Sequence, residues 1–468
     1  KIQQMESIDR HPIILLLFLI ALTISCRIFF VSKALIENTT AQIENELFSP
    51  LTLVNRTTLE AAALNDIITI AYAVTITSCE KQNLIIDGAS VLQHSIHLAS
   101  IQTKSSGSRY DYEMIAFVHP NATACSEILS HLHYKVIVKE VPIDIERIRG
   151  NYRQWADKGG CCGVKEWLKL YAYTLTQYPV VVHLDLDCLI LKPMDDLFDA
   201  MIFPVSDMDE KGIKARQRIP AMWMTSDQLP EVIDAFFTRD YGMLRKPGHR
   251  KPHQVGVQGG FFVIRPNKTV FREFVDIILE GNYSEVQGWG EALGYGGYYG
   301  ARTIQGLAAM FYGHLYPHRA VELNRCIYNN MADAPYIPIY DEQNFSHMKP
   351  YPCLTMQQSC DDCRNTKIQE IFSIHFTNCI KPWFCAGPKR MLPACLRLRF
   401  EWYRMRFILE ARLRGEHLDA PNFTLTREMG IHNSTLGFCK GLGNDDFRPI
   451  VTVLKRFLNL SNMNLNVT

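Results

Sequence analysis

Asp185 and Asp187 are the residues of this 468-residue chain best suited to do chemistry. They stand two apart within Tyr178–Phe198 (YPVVVHLDLDCLILKPMDDLF), with apolar sequence on both sides. On an extended backbone, residues two apart point to the same side. Two carboxylates facing one point are hard oxygen donors suited to Mg²⁺ or Mn²⁺. An ion held in this way commonly carries a diphosphate, which suggests nucleotide-linked chemistry. Asp-x-Asp also closes ordinary strands where a loop begins. The apolar setting argues against that plainer reading, because two buried charges are costly without a cation or a cluster of donors.

The elements that must hold the pair read as an alternating chain. Residues 67–77 (IITIAYAVTIT), 112–119 (YEMIAFVH), 135–139 and 256–266 (GVQGGFFVIRP) have the composition of strands. Residues 89–99, 125–133 and 166–177 have helical spacing, and the last leads directly into the strand that ends at Asp185. This order predicts an α/β fold, a three-layer α/β/α sandwich with a mostly parallel central sheet. Such sheets bind ligands at the carboxyl ends of their strands, where Asp185 and Asp187 fall. Residues 288–300 (GWGEALGYGGYYG) read either as a mobile loop near a ligand or as a plain surface loop. Residues 397–413 read as a basic amphipathic helix that packs on the domain rather than on lipid.

Residues 12–31 (PIILLLFLIALTISCRIFFV) carry one charge, Arg27. Twenty residues at helical rise span a bilayer core of about 30 Å. No small-x-small cleavage site follows, so an uncleaved signal anchor is favoured over a signal peptide. Ten Asn-x-Ser/Thr triplets occur, at Asn38, Asn55, Asn121, Asn267, Asn282, Asn344, Asn422, Asn433, Asn459 and Asn466. Average composition gives roughly two or three. All ten follow the apolar segment, which places the rest of the chain on the lumenal side. The expected layout is a cytoplasmic tail at 1–11, a transmembrane signal anchor at 12–31 and a stem at 32–66. A catalytic domain at 67–390 and a helical C-terminal extension at 391–468 complete it. That layout is the one expected of a single-pass type II protein of the Golgi membrane or the endoplasmic reticulum. The net charge of +1 gives no basis for nucleic-acid binding.

Fourteen cysteines fit an oxidising compartment and disulfides. Six crowd into 353–395, including Cys360-x-x-Cys363, for which a zinc site is the alternative. Cys161-Cys162 is a further adjacent pair.

Three more segments join the Asp pair: 169–178 (KLYAYTLTQY), 375–383 (HFTNCIKPW) and 76–78, which closes the first strand. In this order they resemble glycosyltransferase family 8, the glycogenin-like enzymes, over roughly 67–388. The resemblance implies a GT-A (Rossmann-like) fold, a UDP-sugar donor, Mn²⁺ with Mg²⁺ as the alternative, and retention of anomeric configuration. It assigns the metal to Asp185, Asp187 and His375. Donor binding falls to Ile76, Ser78, Lys169, Asp185, Leu186, Gln258, Gly259, Asn378 and Lys381, with Lys381 on the diphosphate. Asn378 replaces the family's glycine. Gln305 and Lys169 are the catalytic candidates. Mn²⁺ accepts mixed carboxylate and imidazole ligands, and a cation with a lysine would stabilise charge on departing UDP.

The resemblance departs at one place. The family's Asp-Gln pair is Ile304-Gln305 here, and Ala301 stands where an upstream acid is expected. Glu291 or Gln258 is a candidate to compensate. With no second carboxylate evident, same-face attack beside Gln305 is favoured over a covalent intermediate. The implied function is retaining transfer from a UDP-sugar to a glycan, glycoprotein or glycolipid. A lumenal nucleotide-sugar- or glycan-binding protein that has lost turnover is the alternative. A metal-dependent phosphohydrolase would leave the Lys381-Pro382-Trp383 element without a role. A self-glucosylating primer would need neither anchor nor sequons.

Overall fold

Alternate residues of the first strand enter two separate apolar cores. In β1 (Thr69–Ile76), Ile70, Tyr72, Val74 and Ile76 join one core, and Ala71 and Ala73 join the other. The next strand, Asp111–Val118, divides in the same way: Met114, Ala116 and Val118 face one side, Ile115 and Phe117 the other. A strand buried on both faces belongs to a sheet covered on both faces. The structure, a computed structural model, describes residues 67–80, 82–158, 162–203, 210–222, 229–243, 254–290, 295, 302–336, 353–355, 357–386, 391–416 and 431–457.

In chain order the elements are β1, α1 (Gln82–Leu98), β2 (Asp111–Val118), α2 (Ser126–His131), β3 (Tyr134–Val138), β4 (Val181–Leu184) and β5 (Cys188–Ile190). Then come α3 (Asp195–Ile202), α4 (Glu210–Arg218), β6 (Ala221–Met222), β7 (Ala235–Arg239), β8 (Val257–Ile264) and α5 (Lys268–Glu280). They are followed by β9 (Tyr283–Ser284), β10 (Gly288–Trp289), α6 (Ile304–Met310), β11 (Ala320–Leu323) and α7 (Arg325–Tyr328). The last are β12 (Ser373–His375), α8 (Pro393–Leu413), α9 (Ile431–Ser434) and α10 (Val451–Phe457).

The main sheet has strand order β3-β2-β1-β4-β8-β7-β11-β6. The pairs β3/β2, β2/β1, β1/β4 and β7/β11 are parallel. β8 runs against both β4 and β7, and β6 runs against β11. The reversal of β8 brings its first residues to the edge where β1, β4, β7 and β11 end. This is the edge at which the sequence places the ligand.

Helix α5 shows how local chemistry fixes an element. The Asn267 side chain accepts a hydrogen bond from the Thr269 amide at 2.7 Å and caps the first turn. Gly281 closes the last turn at φ 71°, a left-handed conformation, and a Cβ there would lie 2.7 Å from Ile148 Cγ2.

Three sequence expectations need correction. Residues 163–174 wind as 3₁₀ turns, not as an α-helix. That winding eclipses residues three apart and stacks Glu166 on Lys169 as an ion pair at 3.0 Å. Helix α8 is not amphipathic. Leu398, Arg399, Phe400, Trp402, Tyr403, Met405 and Arg406 are all buried, so several faces of the helix are covered. The zinc alternative for 353–395 fails, because all six cysteines there are in disulfides: Cys326–Cys363, Cys353–Cys360, Cys379–Cys395 and Cys385–Cys439. A fifth disulfide joins Cys79 to Cys125.

The tail, anchor and stem expected at 1–66 lie outside the described residues, as do Cys161, Glu291, Ala301 and most of 288–300. Among the described residues no helix is long and apolar enough to cross a membrane. Four sequon asparagines are described, Asn121, Asn267, Asn282 and Asn433, and all four are exposed.

Candidate active site

The chain leaves the main sheet at Asp185. β4 stops at Leu184, and the chain turns through Asp185-Leu186-Asp187 into β5, with the Cys188 amide bonded to the Asp185 carbonyl at 3.1 Å. β5 pairs antiparallel with β12, with His375 opposite Cys188. The Phe376 amide donates to the Asp187 carbonyl at 2.9 Å. This small second sheet carries His375 to the Asp pair from far along the sequence. One ligand atom from each of Asp185, Asp187 and His375 lies within 4.8 Å of the others.

β8 supplies the facing wall. Its register sets Phe261 opposite Leu184, so Gly260 lies beside Asp185, whose amide bonds the Gly260 carbonyl at 3.1 Å. A Cβ on Gly260 would stand 2.4 Å from His375 Cε1 and 2.8 Å from Asp185 Oδ2. Only glycine leaves His375 and Asp185 their places.

Charge at the site is tightly balanced. Asp187 is buried, with Lys381 Nζ at 2.7 Å and His375 Nε2 at 3.4 Å. Burial by itself would raise the Asp187 pKa, but His375 and Lys381 outweigh it and hold it below the ordinary value. Burial would likewise lower His375, and the Asp187 carboxylate reverses this and raises it. Nδ1 of His375 is buried and has no hydrogen-bond partner among the described residues. Lys169 is buried, with Asp185 Oδ1 at 2.9 Å, Glu166 Oε2 at 3.0 Å and the Gly259 carbonyl at 3.0 Å. Burial opposes its charge, and the two carboxylates outweigh burial and raise its pKa.

The remaining expected residues fall around this centre. Ile76 is buried at the end of β1, and Ser78 follows it with its Oγ accepting from the Glu80 amide. Leu186 packs near Gly88, where a Cβ would meet its carbonyl at 2.9 Å. Gln258 turns its Oε1 to the Gly260 amide at 2.6 Å. Gln305, in the first turn of α6, lies against Gly259: a Cβ there would be 3.2 Å from Gln305 Cγ and 3.4 Å from Ile304 Cγ2. The Asn378 side chain donates to Asp333 Oδ1 at 2.7 Å.

Sequence reasoning missed Asp240. It follows β7, its amide bonds the Gly256 carbonyl at 2.9 Å, and it is buried. Its carboxylate is hydrogen-bonded by Gln305 and Gln258. Burial raises its pKa to about 6, and nearby Asp333 adds to the rise. A signal was present: an apolar run, 235–237, is followed after Thr238 and Arg239 by a carboxylate at a strand's carboxyl end, as a carboxylate follows the run before Asp185. Asp333, held by Arg325 at 3.3 Å, was also missed, and no local pattern marks it.

No protein-family model and no curated protein matches the chain. Among solved structures, it is similar to the apo form of mouse xyloside xylosyltransferase 1, with 12% identity and a TM-score of 0.36 over 67% of this chain and 99% of that one. It is also similar to an active-site mutant of LgtC, with 13% identity and a TM-score of 0.34 over 68% and 89%. A third is the glycosyltransferase GlyE of Streptococcus pneumoniae, with 12% identity and a TM-score of 0.37 over 77% and 67%. Likeness at this level carries no conclusion about activity, which must come from the site.

Proposed function

We propose that the chain is a divalent-metal-dependent glycosyltransferase that takes a sugar from a UDP-sugar. The observation that carries this reading is the meeting of Asp185, Asp187, His375, Lys381 and Lys169 at one edge of the sheet. Two carboxylates and an imidazole fit Mn²⁺, with Mg²⁺ as the alternative. The unpartnered His375 Nδ1 and the room kept by Gly260 accord with a site shaped around that donor set. When bound, the ion would neutralise charge on the diphosphate. Lys381, part exposed and already turned toward Asp187, would bind the departing phosphate oxygens. Lys169 orients Asp185 and the Gly259 carbonyl.

Asp240 supplies a buried carboxylate where 301 and 304 lack one, held by the catalytic candidate Gln305. It is suited to accept hydrogen bonds from sugar hydroxyls. The alternative, a binding protein that has lost turnover, rests on the buried Ile304. Asp240 weighs against that alternative.

A retaining reaction with a glycan, protein or lipid acceptor fits the family that the motifs resemble. The apolar segment 12–31, the ten sequons and the disulfides support a type II protein of the secretory pathway. Calorimetry of UDP with the lumenal chain tests the donor site. Binding that needs Mn²⁺ supports the reading, and absence of UDP binding with Mn²⁺ present overturns it.

A further inference from the structure

The geometry points to the C-terminal helix α8 as a positioning element of the donor site, with Tyr403 and Arg399 as positioning residues for Lys381. The inference rests on the reading of Lys381 as a diphosphate ligand.

Two disulfides bracket Lys381. Cys379, just before it, is joined to Cys395 in the first turn of α8, and Cys385, just after it, is joined to Cys439. Between them the chain turns, with the Phe384 amide bonded to the Lys381 carbonyl at 2.9 Å. Tyr403 donates its hydroxyl to the Pro382 carbonyl at 2.5 Å. Arg399 donates to the same carbonyl at 3.3 Å, to the Phe384 carbonyl at 2.8 Å and to the Tyr403 hydroxyl at 2.8 Å. Two buried side chains of α8 thus hold the backbone directly after Lys381. Trp383, the next residue, packs edge-on against Trp402 of α8, with ring centroids 6.0 Å apart.

The same helix is linked to the Asp pair through α1. Arg406, fully buried, pairs with Asp87 of α1. Next to Asp87 is Gly88, where a Cβ would meet the Leu186 carbonyl at 2.9 Å and Trp383 Cη2 at 3.3 Å. Helix α8 therefore holds the loop that carries Lys381 directly, and bears on the turn that carries Asp187 only through α1. Each bond acts through backbone, so Tyr403 and Arg399 set where the lysine stands without touching a ligand.

The test uses the full chain with Mn²⁺ and measures affinity for UDP and for uridine in Tyr403→Phe, Lys381→Met and the double variant. Uridine lacks the diphosphate and reports the integrity of the rest of the site. Tyr403→Phe should weaken UDP by roughly tenfold, the size of one charge-assisted contact put out of place. Uridine binding should be unchanged, and on the Lys381→Met background Tyr403→Phe should add nothing. Arg399→Lys should behave as Tyr403→Phe does, and it carries the test if that variant does not fold. The assignment is overturned if UDP affinity is unchanged, if UDP and uridine fall together, or if the two losses add. A wild-type chain that binds no UDP would instead overturn the donor-site reading on which the assignment stands.

Discussion

Lys381 Nζ lies 2.7 Å from Asp187 Oδ2, yet the lysine is 43% exposed and the carboxylate only 7%. The pair has one partner part exposed and one enclosed. A lysine in that position can turn to an arriving phosphate while His375 remains on Asp187. Lys381→Met should therefore weaken UDP binding by roughly 10- to 100-fold, the worth of one charged hydrogen bond. Calorimetry measures this directly, and an unchanged affinity would remove Lys381 from the diphosphate.

Gly260 tests the proposed metal site without changing a proposed ligand. A Cβ there would lie 2.4 Å from His375 Cε1, so Gly260→Ala must push the imidazole or Asp185 aside. Titration of Mn²⁺ followed by electron paramagnetic resonance should show the ion released, while the circular dichroism spectrum keeps its wild-type form. Mn²⁺ bound as tightly as in wild type would place the ion elsewhere.

Asp240 makes stability depend on pH. Its folded value of about 6 lies above the ordinary 3.8, because burial opposes its charge. The folded state therefore binds this proton more tightly than the unfolded state. Its contribution is favourable in acid and is lost as pH rises from about 4 to about 6. Asp240→Asn removes the penalty and should gain about 2–3 kcal/mol over wild type at pH 7 relative to pH 4. Urea unfolding at the two pH values measures it. The same variant should lose turnover, so a stabilised but inactive protein is the expected pair of results. An equal stability difference at both pH values would mean that Asp240 is not a buried titrating group.

Much of the frame was legible because burial writes itself into strands. The apolar runs around β1, β2, β4 and β8 marked the sheet, and the rule of carboxyl ends located Asp185 and Asp187. His375 and Lys381 were legible only through the spacing of a family motif. Their approach to Asp187 depends on the pairing of β12 with β5, which no local pattern encodes. Asp240 lay outside the family motif, which points to 301 and 304 for an acid, whereas Asp240 stands just past the end of β7. The 3₁₀ winding of 163–174 was hidden for a related reason. Its apolar positions read equally as helical spacing, and the winding sets Glu166 on Lys169 beside Asp185, tertiary partners that no local pattern names. The burial of α8 was illegible from its charge, since its arginines bond carbonyls and carboxylates inside the fold.

The release of UDP from UDP-sugars tests the central claim most directly. UDP-glucose, UDP-galactose, UDP-xylose, UDP-glucuronate and UDP-N-acetylglucosamine are presented to wild type and to Asp187→Ala, with and without Mn²⁺. The account predicts UDP release from at least one donor by wild type with Mn²⁺, and none without the ion or in Asp187→Ala. Release that is equal with and without Mn²⁺, or equal in Asp187→Ala and wild type, would contradict it.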